Sequence, residues 1–141
     1  MALTSTATAH WEGSLFEGKG SVNLDSSGLG SFDINWKARS DGAASTTTPE
    51  ELLGAAHAAC FSMAFSNGLA QKGTPATALN TTADVTFQPG TGITGIKLTV
   101  RGEVPGISAE DFAAAAADAK ANCPVSKALA GVEISLDASL A

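Results

Sequence analysis

The sequence predicts an α+β fold, in which a mostly antiparallel sheet of about six strands packs against two main helices. Several segments alternate apolar and polar residues, which is the pattern of a strand with one buried face and one wet face. Two longer, alanine-rich segments lack this alternation and begin with helix-start signals. Strands with one wet face favour antiparallel pairing. A chain of 141 residues with 44% hydrophobic residues can bury one core, so we expect a single domain over residues 1–141.

The strands are predicted from this alternation and from the glycine-rich joints between them. In residues 32–39, the side chains of Phe32, Ile34 and Trp36 fall on one face, and the polar residues between them fall on the other. Two weaker strands precede this one, and glycine-rich turns separate them. The predicted strands in chain order are residues 10–15, 20–24, 32–39, 83–87, 96–100 and 132–137.

The first helix begins with several start signals and is apolar nearly all round. Thr48 suits the N-cap, Pro49 suits the first helical position, and Glu51 completes a Thr-x-x-Glu capping box. No acidic or basic residue follows Glu51 before Lys72, and the helix is expected to end within residues 68–73. Such a helix must be covered on more than one side. One sheet covers one side, so the second helix or a partner subunit must cover the other, which favours an intertwined homodimer.

The second helix is predicted to begin near Ser108, with acidic residues in its first turn, and to continue to Asn122. Pro124 then begins a short third helix, residues 124–130, which a glycine ends. The predicted order of elements is three strands, a helix, two strands, a helix with its short extension, and a last strand.

Charge and hydropathy exclude several classes of function. The net charge is −6 and basic residues are scattered, which argues against binding to nucleic acid or to an anionic membrane surface. Residues 52–71 carry no charge, but polar side chains interrupt them, so we expect a buried helix and no membrane span. The N-terminal residues lack the pattern of a secretory signal, so a cytoplasmic location is expected.

The two cysteines, Cys60 in the first helix and Cys123 directly before Pro124, are candidate reactive groups. Each is either a small core residue or one half of a thiol redox pair. Cys123 falls near the N-cap of the short third helix, which favours the thiolate. Paired cysteines in a cytoplasmic protein are more often catalytic or redox-sensing than structural. Only His10 and His57 are available as further soft ligands, and no ligand spacing is present, so no metal site is expected.

A working thiolate needs a nearby positive charge, because burial alone raises the pKa of a thiol. Arg39 precedes the first helix and could hold both a thiolate and a carboxylate, or it could be a solvated surface residue. His57 lies three residues before Cys60 and is either a base for the thiol or a core histidine. Glu50 lies about 15 Å from Cys60 along a straight helix. If Glu50 belongs to the site, the partner chain should bring it there.

Residues 48–64 and residues 122–126 closely resemble the OsmC (osmotically inducible protein C) family. The specific motifs are the run Pro-Glu-x-Leu followed by Ala-Ala-Cys-Phe, together with the later Cys-Pro. The likeness extends to residues 9–13 and 80–85, and it therefore covers essentially the whole chain.

The resemblance implies an antioxidant thiol peroxidase of the stress response, active on organic hydroperoxides and on hydrogen peroxide. Matched by motif, Cys60 is the peroxidatic cysteine and Cys123 is the resolving cysteine. Glu50 matches the glutamate of the Pro-Glu motif, and Arg39 matches the active-site arginine. The positions of His57 and Arg39 are typical of the OsmC branch, as distinct from the organic hydroperoxide resistance branch. The family forms an intertwined homodimer with its sites at the interface, so the resemblance implies one here.

The resemblance also implies a reaction cycle without a cofactor. The Cys60 thiolate becomes a sulfenic acid, and Cys123 then condenses with it to a disulfide. An external dithiol reductant, such as a lipoyl protein, reduces the disulfide by exchange. His57, Phe61 and Met63 are expected to line the site, and no flavin, haem or metal is required.

Two other functions fit the same sequence. The chain could be a module that binds apolar ligands without turnover, or a redox sensor whose disulfide switches binding to a partner. A binding module would tolerate the substitution Cys60→Ser, whereas a peroxidase would not. A sensor would be oxidised stoichiometrically, without a catalytic cycle.

Overall fold

The computed structural model describes residues 1–42 and 45–141, and these form two compact units, Met1–Leu52 and Leu53–Ala141. The first unit contains a three-stranded antiparallel sheet whose strands pair in chain order. A short helix follows the sheet directly, and the first residues of a long helix end the unit. The elements are β1 (Thr8–Glu12), β2 (Lys19–Asn23), β3 (Ser31–Ile34), α1 (Trp36–Asp41) and the start of α2 (Pro49–Gln71).

The strand predicted over residues 32–39 is wrong in its second half. β3 ends at Ile34, and α1 begins at Trp36. The side chain of Asn35 accepts a hydrogen bond from the backbone N–H of Ala38 at 2.8 Å, so Asn35 is the N-cap of α1. This cap satisfies a helical N–H that an extended chain would leave unpaired. Arg39 therefore lies in the last turn of a short helix and not at the end of a strand.

The second unit holds the rest of α2 and a second three-stranded sheet. Its remaining elements are β4 (Ala78–Gln88), β5 (Gly92–Glu103), α3 (Ala109–Asn122), α4 (Pro124–Ala128) and β6 (Ile134–Leu140). The predicted single sheet of about six strands is therefore wrong, because the six strands in the described part of the chain form two sheets of three.

The pair β5–β6 is parallel, whereas the other three strand pairs of the described residues are antiparallel. The two helices between β5 and β6 return the chain to the same end of the sheet, which is the connection that parallel strands need. The alternation in the sequence predicted the strands but not this orientation.

The capping signals place both long helices as expected. The Thr48 hydroxyl accepts the backbone N–H of Glu51 at 3.0 Å, and the Ser108 hydroxyl accepts that of Asp111 at 3.1 Å. The Glu51 carboxylate accepts a hydrogen bond from the Thr47 hydroxyl at 2.6 Å. No helix among the described residues is long and apolar enough to cross a membrane.

The core of the second unit forms where α2 and α3 pack on β5. Its fully buried side chains include Phe61 and Phe65 of α2, Phe112 of α3 and Leu98 of β5. The rings of Phe65 and Phe112 lie 5.1 Å apart between centroids. A Cβ atom on Gly102 of β5 would lie 2.6 Å from the Phe112 ring, so only glycine lets this ring reach the sheet. This packing fixes the helix that carries Cys60.

Candidate active site

The backbone around Cys123 follows from the proline after it. Pro124 cannot continue α3 and favours extended backbone at the residue before it, and Cys123 has φ −59° and ψ 124°. The Cys123 N–H donates to the carbonyl of Ala119 at 2.8 Å, and the Cys123 carbonyl accepts from the N–H of Lys127 at 3.0 Å. Cys123 thus ends α3 and begins α4, and its backbone is bonded to both helices.

The structure brings Cys60 and Cys123 together as free thiols. Cys60 lies on α2 and is partly buried, whereas Cys123 is fully buried. Both cysteines pack in the same hydrophobic core, and the two thiols are close enough for the Cys60 thiol to lower the pKa of Cys123 as a hydrogen-bond donor. Two thiols in hydrogen-bond contact can form a disulfide when one of them is oxidised.

The surroundings of the two thiols shift their pKa values in opposite directions. Burial and the adjacent Cys123 raise the pKa of Cys60, although the backbone N–H of Val125 acts against this. Burial would also raise the pKa of Cys123, but the hydrogen bonds that its sulfur accepts outweigh burial and lower it. These bonds come from the Cys60 thiol, from the backbone and hydroxyl of Ser126, and from the N–H of Val125. Within one chain the thiolate is therefore favoured at Cys123.

His57 lies one helical turn before Cys60, and its side chain is fully buried. Its Nε2 lies 2.7 Å from the hydroxyl oxygen of Ser126, the residue that also bonds Cys123. Burial lowers the pKa of His57, so its imidazole is neutral near pH 7. Ser126 was not among the site residues predicted from the sequence. Its place three residues after Cys123, at the start of a helix that begins with proline, is the signal that could have found it.

The first unit brings together the other two predicted site residues, Arg39 and Glu50. The Arg39 Nε donates to the Glu50 Oε1 at 2.8 Å. Glu50 is buried, with 8% of its side chain exposed, whereas 31% of the Arg39 side chain is exposed. A guanidinium carries five N–H donors, so one arginine can bond more than one anion.

An apolar hollow of about 350 Å³ adjoins this guanidinium. Trp11 and Trp36 both line it, and the ring of Trp36 lies edge-on to that of Phe16 at 5.8 Å between centroids. The hollow can accept an apolar group next to a positive charge. Its lining residues are Trp11, Leu15, Ile34, Asn35, Trp36, Arg39 and Pro49.

The predicted lining residues differ in their exposure. His57 and Phe61 are fully buried, whereas 68% of Met63 is exposed. Phe61 belongs to the hydrophobic core, against which Cys60 packs. Among the described residues, no group of three or more His, Cys, Asp or Glu side chains could hold a metal ion.

The chain is similar to known proteins in both sequence and fold. The sequence profile of the family described as OsmC-like protein matches residues 40–137. The chain is 44% identical to Peroxiredoxin OsmC of Escherichia coli, over 99% of each chain. Its fold is similar to that of an organic hydroperoxide resistance protein OsmC from Legionella pneumophila (26% identity, TM-score 0.75, 99% and 98% of the two chains). It is also similar to OhrB, an organic hydroperoxide resistance protein of Bacillus subtilis (25% identity, TM-score 0.69, 96% and 98% of the two chains).

The family match covers Glu50, Cys60 and Cys123, and it begins one residue after Arg39. These matches confirm the resemblance inferred from the motifs, and the chain belongs to the OsmC family.

Proposed function

We propose that this chain is a cysteine-based peroxidase that reduces organic hydroperoxides and hydrogen peroxide through a Cys60 sulfenic acid and a Cys60–Cys123 disulfide. The observation that carries the proposal is that two free thiols from distant parts of the chain lie next to each other. The names of the relatives, Peroxiredoxin OsmC and organic hydroperoxide resistance protein, support the same chemistry. We assign the chemistry to one OsmC-like domain over residues 1–141.

Oxidation begins at Cys60, the more accessible of the two cysteines. Its thiolate attacks the terminal peroxide oxygen, a sulfur–oxygen bond forms, and the oxygen–oxygen bond breaks. The leaving alkoxide takes a proton and departs as alcohol, or as water when the substrate is hydrogen peroxide. Cys60 is then a sulfenic acid.

The surroundings of Cys60 within its own chain raise the pKa of its thiol, so a positive charge from elsewhere must stabilise the Cys60 thiolate. Arg39, oriented by Glu50, is a suitable donor. Glu50 is ten residues from Cys60 on α2, about 15 Å along a helix. We therefore assign the Arg39–Glu50 pair that serves each Cys60 to the partner subunit of a homodimer. The exposed, mostly small residues of α2, among them Ala55, Ala59 and Met63, would be covered by that partner.

Resolution follows when the Cys123 thiolate attacks the sulfenic sulfur of Cys60. The sulfur–sulfur bond forms, and the hydroxide that leaves takes one proton to become water. An external dithiol then returns both cysteines to thiols by exchange, and its own sulfurs become a disulfide. A dihydrolipoyl group is the dithiol expected, and a cytoplasmic setting would supply it reduced.

The apolar hollow favours organic substrates over hydrogen peroxide. A hydroperoxide that places its alkyl or aryl group between the two tryptophans would hold its oxygens beside the Arg39 guanidinium. We expect kcat/KM to rise with the size of the apolar group until the hollow is filled.

Intact-mass analysis after one equivalent of cumene hydroperoxide tests the two-cysteine chemistry. The unmodified protein should lose two hydrogens, Cys123→Ser should gain one oxygen that dimedone traps, and Cys60→Ser should change in neither way. A Cys60→Ser protein that is oxidised as fast as the unmodified protein would refute the assignment of Cys60.

A mixed dimer tests whether Arg39 acts across the interface. Cys60→Ser and Arg39→Met subunits are refolded together. If Arg39 serves the partner, the mixed dimer regains one intact site, although each parent homodimer has none. If the mixed dimer is as inactive as its parents, the assignment to the partner is wrong.

A further inference from the structure

We propose that His57, acting through Ser126, is a positioning residue that holds the resolving cysteine, Cys123, in its reactive form and orientation. The inference rests on the resolving role proposed above for Cys123. It adds two residues to the reaction, His57 and Ser126, neither of which touches the peroxide.

The argument begins with the single hydrogen of the Ser126 hydroxyl. The Ser126 hydroxyl lowers the pKa of Cys123 as a donor to its sulfur, and a hydrogen that is used there is not available to His57. His57 Nε2 lies 2.7 Å from the same oxygen, and the contact is a hydrogen bond only if Nε2–H donates to it. The chain of donors therefore runs from the His57 imidazole to the Ser126 hydroxyl and from there to the Cys123 sulfur.

The surroundings of the other ring nitrogen, Nδ1, also favour a proton on Nε2. His57 Nδ1 is buried and has no hydrogen-bond partner among the described residues. With the proton on Nε2, Nδ1 carries only a lone pair. The opposite tautomer would bury an N–H donor with nothing to receive it, which is rarer in proteins than an unpaired acceptor.

The arrangement directs the hydroxyl as well as holding it. A serine hydroxyl rotates freely unless a second donor occupies its lone pairs. The Nε2–H of His57 occupies one lone pair, which leaves the Ser126 hydrogen turned toward Cys123. A donor aimed at the sulfur favours the thiolate and fixes the direction of its attack on Cys60.

The other groups near this chain of hydrogen bonds are mostly uncharged. From α2 the Cys60 thiol faces Cys123, and from α4 the Ser126 hydroxyl and the N–H groups of Val125 and Ser126 face it. In the described part of the chain, no lysine, arginine or carboxylate is among the groups that shift the pKa of either cysteine. Lys120 of α3 donates instead to the carbonyl of Ile134 at 2.9 Å, and Lys127 of α4 is exposed.

The test is a titration of Cys123 in the Cys60→Ser protein, where it is the only thiol. The ultraviolet absorbance of the thiolate monitors the titration. At a pH below the titration midpoint, adding Ser126→Ala should lower the fraction of Cys123 present as thiolate about tenfold, because a hydrogen bond to a charged group is lost. Adding His57→Phe should lower the thiolate fraction about threefold, because the Ser126 hydroxyl is kept but is no longer turned toward the Cys123 sulfur. His57→Gln supplies an amide N–H in place of Nε2–H and should restore most of the loss.

Ser62→Ala is the matched control, because it also removes a partly buried hydrogen bond made by α2. That bond runs from the Ser62 hydroxyl to the Thr81 hydroxyl at 2.7 Å. Ser62→Ala should leave the Cys123 titration unchanged. If His57→Phe and Ser126→Ala titrate like this control, the proposal is overturned and the His57–Ser126 bond only ties α2 to α4.

Nitrogen NMR of the unsubstituted protein gives a second test that does not depend on any variant folding. A proton on Nε2 supports the proposal, and a proton on Nδ1 contradicts it. Neither test uses peroxide, so both can succeed or fail independently of the peroxidase assignment. If that assignment also holds, the Cys60 sulfenic acid should persist longer in Ser126→Ala than in Ser62→Ala.

Discussion

Replacing Arg39 with methionine should separate the structural role of the Arg39–Glu50 pair from its chemical role. The substitution keeps an unbranched apolar stem and removes the donor 2.8 Å from the Glu50 carboxylate. Exposed ion pairs contribute about 0–1 kcal/mol to stability, and breaking a fully buried pair costs about 3–5 kcal/mol. Arg39 is one-third exposed and Glu50 is buried, so we expect a loss of about 2 kcal/mol.

The loss arises mainly because a buried carboxylate is left without a partner, so a second substitution should return part of it. Arg39→Met with Glu50→Gln should recover about 1 kcal/mol, because the amide is uncharged. The double variant should nevertheless remain about a hundredfold slower than the unmodified protein in the oxidation of Cys60, because the positive charge is still missing. Stability would thus be restored without activity.

Urea unfolding at one fixed protein concentration measures these differences, with peroxide-driven loss of free thiols as the activity assay. Arg101→Met is the matched control, since Arg101 is the only other arginine and its pair with Asp137, at 3.4 Å, is about half exposed. It should change stability by less than about 0.5 kcal/mol. If Arg39→Met is as stable and as active as Arg101→Met, the reasoning about the pair is refuted.

Three further predictions concern the second unit. Because burial lowers the pKa of His57, its stabilising contribution is present above its ordinary pKa of about 6.5 and is lost as pH falls below it, by at most about 1.4 kcal/mol per pH unit. Urea titrations from pH 7 to pH 5 should show a smaller loss in His57→Gln, and an equal loss would contradict the buried, neutral imidazole. Phe112→Ala should cost about 3–5 kcal/mol of unfolding free energy, and a loss under about 1 kcal/mol would show that its ring is not in the core. Gly102→Ala should lower the melting temperature by several degrees, since its Cβ would meet that ring, and an unchanged value would contradict the close approach.

The parts of the fold that the sequence could predict are those decided by local interactions. Thr48 and Ser108 each bond an N–H three residues ahead, so the starts of α2 and α3 are encoded within one helical turn. Alternation predicted the strands for the same local reason. It also misled over residues 32–39, where the Asn35 cap favours a helix despite a strand-like pattern. The parallel pairing of β5 and β6 depends on how the connecting helices pack, which no local pattern encodes.

The candidate site also has residues that the sequence could predict and residues that it could not. Cys60, Cys123 and Glu50 carry motifs, so the resemblance could match them one by one. Ser126 ends the matched segment 122–126, but the motif gives it no role, and its contact with His57 appears only in the folded structure. The opposite pKa shifts of the two cysteines likewise depend on hydrogen bonds between distant parts of the chain.

The measurement that tests the central claim most directly is the consumption of tert-butyl hydroperoxide with dihydrolipoamide as reductant. The two-cysteine account predicts many turnovers by the unmodified protein, none by Cys60→Ser, and a stalled Cys60 sulfenic acid in Cys123→Ser. If the unmodified protein consumes no more peroxide than Cys60→Ser, the account is contradicted.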